Sequence, residues 1–183
     1  LADTLLADNS DAVFSSKSLL HFLDAWAGTL AFSGQIFFDF AGYSTCAIGL
    51  ALMLGFFMTE NFKYPYASLG FSDFWTRWHI TLSSWLRDYV YIPMGGNRHG
   101  ILKTYAFLMI TMLIGGLWHG AALHFVAWGA YHGFLLMIGR SREPAAEDSA
   151  RWGTIRRQLA CFHLIVLGWL LFRIQDLPHL IQY

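Results

Sequence analysis

The residues best suited to chemistry in this sequence are polar side chains set in apolar surroundings. His119 lies in "MLIGGLWHGAAL", at a glycine-flanked break between two uncharged runs. Irregular backbone at membrane depth is tolerated only where it is buried in protein or lines a cavity. An imidazole there can take a proton from a hydroxyl and return it to a leaving group, because its ordinary pKa of about 6.5 lies near working pH. The same residue can instead be a polar group that only bonds across helices, and the residues alone leave both readings open. Asp39, in "FFDFAGYS", is the only charged residue between Ala25 and Met58, and Tyr43 and Ser44 follow it within about a turn. It reads equally as structural glue and as a direct participant. His79, in "TRWHITLSSWLRDYVYIPMGG", reads on geometry as a structural histidine bonded to its neighbours. His119, His124 and His132 are separated by five and then eight residues, not by the four that place two ligands on one helical face, so no metal or haem site is expected. Ser83 and Ser84 follow His79 closely, but no nucleophile-elbow pattern surrounds them.

Elements able to hold such residues follow from composition. The chain has 183 residues, 13% charged and 17% aromatic, with no net charge; its mean hydropathy is +0.43 and its pI about 7.3. That balance is a membrane protein's, and it offers no basic surface for nucleic acid. Cys46 and Cys161 both sit in apolar sequence and read as small buried side chains. The opening run "LADTLLADNSDAVFSSKS" has no start methionine, and the chain is expected to be a piece of a longer protein.

Residues 25–58, as one helix, would be about 51 Å long against a hydrocarbon core of about 30 Å. They are therefore expected to bend, break or cross more than once, with Gly34, Gly42, Gly49 and Gly55 as places to do so. The uncharged residues 104–139 fit two shorter membrane segments broken near "GGLWHGA". The apolar run 158–172, flanked by Arg156, Arg157 and Arg173, is expected to form a final helix. Between these, Trp75, Trp78, Leu82, Trp85 and Tyr89 recur at helical spacing, with Arg77, Thr81, Ser84 and Asp88 on another face. The pattern predicts one amphipathic helix in the membrane interface, stopped by Pro93 and followed by a turn at Gly95 and Gly96. The basic stretches 59–103 and 140–157 favour the cytoplasm, which places the break near His119 away from that side. The segment "REPAAEDSAR" reads as a solvated loop.

Four motifs, in order, carry a resemblance: "FDFAGYSTCAIGLALMLGF" with "ENFKYPY", then "DFWTRWHITLSSWLRDYVYIPMGGNRHG", then "GGLWHGAALHFVAWGAYHG". From about Phe38 to Gly133 the chain resembles the membrane-bound O-acyltransferase family, in its bacterial alginate O-acetyltransferase branch. "YIPMGGNR", Tyr91 to Arg98, favours polysaccharide acetylation over the related D-alanyl transfer to teichoic acid. The resemblance implies an all-α, multipass protein of the bacterial inner membrane, of which residues 1–183 are a partial domain. It implies a motif-bearing core at 38–133 and a final transmembrane helix at about 158–172. It also implies acetyl transfer from a cytoplasmic donor, acetyl-CoA, with no bound cofactor, toward an exported polysaccharide, directly or through a periplasmic acetyltransferase partner. His119 maps onto the family's catalytic histidine and His79 onto a second functional position. Asp39, Arg77, Arg87, Asn97 and Arg98 are candidate substrate or donor contacts, the arginines facing either CoA phosphates or lipid headgroups. The resemblance also implies several membrane helices before "FDFAGYS", which are expected to lie outside this sequence. A proton-coupled transporter with an Asp39, His79 and His119 relay, and a membrane scaffold, are the readings from other classes.

Overall fold

The computed structural model describes residues 2–16, 21–141 and 151–174. Segment 142–150, which includes Arg142 and nearly all of the expected solvated loop, lies outside the described residues, as do Lys17 and Ser18. Among the described residues every regular element is helical, and Phe62 and Trp78 form one isolated antiparallel bridge. The chain divides into two compact units, residues 1–60 with 169–183, and residues 61–168.

In the first unit a π-helical turn, Ala2–Leu6, leads into α1, Ala7–Phe14, and then α2, Phe22–Met53. Helix α2 runs unbroken through Gly34, Gly42 and Gly49 for 32 residues, so of the four glycines expected to interrupt residues 25–58 only Gly55 does so. An isolated glycine costs a helix only about 1 kcal/mol, which the apolar residues around it offset. Gly28 serves a different purpose: a Cβ there would lie 2.6 Å from the Val13 side chain, so α1 packs closely on it. The helix ends at Gly55, whose φ of +83° suits glycine. Gly55 N–H donates to the Leu52 carbonyl and Phe56 N–H to the Ala51 carbonyl, a Schellman closure of the last turn. Helix α7, Arg151–Arg173, returns to this unit at its end, where Arg173 pairs with Asp11 at 2.6 Å and lies over the rings of Phe14 and Phe32. Cys46 is exposed on α2, contrary to the expectation of two buried thiols, while Cys161 is buried.

The second unit holds α3, Phe71–Trp75; α4, Ile80–Leu86; a π-helical turn, Arg87–Tyr91; α5, Ile101–His119; α6, Leu123–Ser141; and most of α7. The single amphipathic helix predicted across Trp75 to Tyr89 is corrected here: residues 76–79 interrupt it, so its rings do not share one face. Trp78 is 4% exposed in the core, whereas Trp85 and Tyr89 are exposed. Helical spacing adds rings into one stripe whatever the backbone between them does. Helical structure ends at Tyr91, two residues before Pro93, and Gly95 and Gly96 take positive φ in the turn that follows, as expected.

Helices α5 and α6 are antiparallel neighbours held at very short range. A Cβ on Gly116 would lie 2.3 Å from the Phe125 carbonyl oxygen, and one on Gly129 would lie 2.4 Å from that of Met112. Gly115 and Gly116 thus sit inside α5, and the break falls at Gly120–Ala122, one residue beyond His119. Helix α7, the last among the described residues, begins at Arg151, earlier than expected, and rests on α6 through the Tyr131 hydroxyl, which donates to the Leu164 carbonyl at 2.7 Å. Helices α2, α5 and α7 are long and apolar enough to cross a membrane. Helix α6 matches α5 in length but carries His124, Tyr131 and His132 and is not among these three.

Candidate active site

His119 is the last residue of α5. Gly120 follows in a backbone conformation unusual for other residues, and a Cβ there would lie 2.8 Å from the Phe125 ring. The chain can therefore turn sharply into α6 without losing that ring contact. The half-buried imidazole meets Trp128 edge-on at 5.3 Å between ring centroids and Phe125 at 6.0 Å.

His79 reaches the same place from another element. Its backbone is left-handed, with φ 43° and ψ 56°, a conformation that costs a non-glycine residue roughly 1–2 kcal/mol. Residues on both sides hold it there. Lys63 N–H donates to the Arg77 carbonyl at 2.9 Å and Ile80 N–H to the Asn61 carbonyl at 3.0 Å. The Thr81 hydroxyl donates to the Asn61 side-chain oxygen at 2.7 Å. This clamp, with the Phe62–Trp78 bridge inside it, is what interrupts the predicted amphipathic helix. Trp78 is buried and stacks on Phe74. The His79 ring meets Trp118 edge-on at 5.8 Å, and Trp118 meets His119 edge-on at 5.0 Å, so a 59% exposed indole stands between two imidazoles.

Burial, and secondarily the charge of nearby His119, pushes the His79 imidazole down from 6.5 to about 4. Above pH 6.5 it is neutral folded or unfolded; between 6.5 and about 4 only the unfolded chain takes up the proton. Stability is therefore expected to fall as pH drops through that window, and no further on this account below it. Thermal unfolding in detergent from pH 7 to 4 should show a shallower decline for His79→Asn than for the parent. Equal slopes would remove His79 as the cause.

The family model described as "MBOAT, membrane-bound O-acyltransferase family" matches residues 2–173. This chain belongs to the membrane-bound O-acyltransferase family. Three relatives bracket it. A "Probable alginate O-acetylase AlgI" of Pseudomonas fluorescens is 51% identical over 84% of this chain and 31% of its own length. A "Peptidoglycan O-acetyltransferase" of Helicobacter pylori is 41% identical over 94% of this chain and 34% of its own length. A "Teichoic acid D-alanyltransferase" of Bacillus subtilis is 33% identical over 81% of this chain and 40% of its own length. The chain spans about a third of the length of the first two. As a member of this family with apolar helices of spanning length, it is a multipass membrane protein with an all-α fold.

This member of the family brings only part of the predicted set together. His79 and His119 converge, whereas Asp39 is exposed on α2 in the first unit. Arg77 is engaged by Asp73 at 2.6 Å, and the other Asp73 oxygen accepts from Leu69 N–H. Arg87 forms a two-point pair with its neighbour Asp88 at 2.7 and 3.0 Å. Asn97 accepts a hydrogen bond from the Tyr91 hydroxyl, and Arg98 is exposed beside it on the Gly95–Gly96 turn. His124 lies against Phe125 on α6. Two rings beside His119, Trp118 and Trp128, escape the sequence reading, and His132, weighed there only as a metal ligand, lies behind Trp128. The spacing of Trp128 and His132, four apart on one helix, is the sequence signal that links the two.

Proposed function

We propose that the protein to which this chain belongs is an O-acetyltransferase of the bacterial inner membrane. It moves acetyl groups from cytoplasmic acetyl-CoA toward an exported polysaccharide such as alginate, directly or through a periplasmic acetyltransferase partner. The observation that carries this reading is the convergence of His119, at the broken end of α5, with His79 across the exposed Trp118. The names of the alginate and peptidoglycan relatives support acetyl transfer to a polysaccharide.

In this reading an imidazole nitrogen of His119 accepts the proton of the acceptor hydroxyl as that oxygen attacks the thioester carbonyl. The carbon–sulfur bond then breaks, and the departing CoA thiolate takes the proton back from the imidazolium. His79, neutral at working pH, adds a hydrogen-bonding group beside the reacting atoms without a second positive charge. Aromatic rings around His119 limit water, which would otherwise compete as the acceptor. Arg98, Asn97 and the basic start of α5 lie at the end opposite His119, about 28 Å away along the 19 residues of that helix. Their charge favours the cytoplasmic side and suits the phosphates of the donor.

The test uses membrane vesicles carrying the protein, supplied with acetyl-CoA labelled in the acetyl group. Label is expected in alkali-labile esters of the envelope polysaccharide. Incorporation of D-alanine instead would favour the chemistry named for the Bacillus subtilis relative. Proton uptake without an acyl product would favour transport.

A further inference from the structure

We propose that His132 and Trp128 form a buried brace that fixes the imidazole of His119, which makes both of them positioning residues for acyl transfer. This inference rests on the reading of His119 as the base.

His132 is 0% exposed, one helical turn beyond Trp128 on α6. Its ring is enclosed from every direction within one compact unit. Phe74 lies nearly parallel to it at 6.4 Å, Trp75 meets it edge-on at 5.2 Å, and Trp128 meets it at 4.9 Å and 60°. On the remaining side α7 approaches through Gly168, where a Cβ would lie 2.5 Å from His132 Nε2. Trp128 is 2% exposed and touches three of these groups in turn, His132, Trp75 at 5.7 Å and His119 at 5.3 Å. Contact therefore passes from the backbone of α7 through His132 and Trp128 to His119.

An apolar ring would fill this space without the desolvation cost of an imidazole. What the imidazole meets is a directional enclosure: it lies at 82° to Trp75 and 60° to Trp128 with its Nε2 edge against the backbone of α7 at Gly168, an arrangement that favours one ring orientation over others. His119 needs that external control, since it ends a helix and the residue after it is a glycine. A base must stay within about 0.5 Å and 10–20° of productive geometry, and misplacement by about 1 Å costs roughly a hundredfold in rate.

The experiment compares the parent, His132→Phe, Trp128→Phe, the double variant and His119→Ala in membrane vesicles at matched protein levels. Initial rates of transfer from acetyl-CoA to the envelope polysaccharide are measured against donor concentration. Each single variant is expected to lower kcat roughly tenfold or more with KM for acetyl-CoA changed by less than about twofold, and the double variant should fall no further than the worse single. Thermal midpoints measured on the same preparations separate this from simple loss of fold. Should His132→Phe fail to accumulate, Trp128→Phe alone carries the test through the same split between kcat and KM. Full kcat in either single variant, multiplicative losses in the double, or a KM that rises in step would overturn the brace. Activity retained by His119→Ala would instead overturn the reading of His119 as the base, a separate outcome.

Discussion

Replacing His119 with alanine is expected to lower acetyl transfer by roughly 10²- to 10⁴-fold, the range general acid–base groups supply. The loss should appear in kcat, because the imidazole contributes as the hydroxyl proton moves, and donor affinity should change little. A residue that merely bonded between helices would behave differently, costing on the order of 1 kcal/mol of stability while the remaining folded protein kept its turnover. The measurement is the O-acetyl content of exported polysaccharide in cells lacking the native gene, supplied with the full-length protein or its His119→Ala variant at matched membrane levels. Unchanged acetylation would take His119 out of the mechanism.

The second large effect is structural and concerns the helix pair that carries His119. Gly116→Ala and Gly129→Ala each place a methyl group within 2.3–2.4 Å of a backbone carbonyl oxygen of the opposing helix. A side chain could swing aside, but a helix backbone can yield only by moving the helix. Each substitution is expected to destabilise the protein by about 1–3 kcal/mol or more and to spread α5 from α6. Gly42→Ala and Gly49→Ala are the controls, since nothing lies within 4 Å of a Cβ at either position on α2. There alanine should be neutral or add up to about 1 kcal/mol. Thermal midpoints in detergent that fall equally for both pairs would contradict the assigned role of the α5–α6 glycines.

Much of the architecture is legible where charge and glycine mark it. The uncharged run 104–139 does divide beside His119, and the arginine-flanked run 158–172 lies within α7, the last helix among the described residues. Two features are not legible in this way. Length against bilayer thickness argues for breaking α2, yet glycines are weak breakers in an apolar helix, so the helix persists to a true terminator, the positive φ of Gly55. Periodicity likewise joins Trp75, Trp78 and Tyr89 into one stripe, because a pattern of residue types does not register the distant partner Asn61–Lys63 that reshapes the backbone at His79. The site divides along the same line. His119 is marked by its own neighbours in sequence, whereas Trp128 and His132 gain their relation to it only through packing against α3 and α7.

The left-handed backbone at His79 also sorts the substitutions that genetic drift can try there. Asparagine adopts this conformation several-fold more readily than most residues and keeps a hydrogen-bonding side chain, and glycine adopts it at no cost but loses the side chain. Alanine, the usual probe of a functional residue, adds a backbone penalty of roughly 1–2 kcal/mol to the loss of the imidazole, and β-branched residues add more. Related sequences that sample this position should therefore be drawn toward histidine and asparagine by the shape of the chain, before chemistry selects between them.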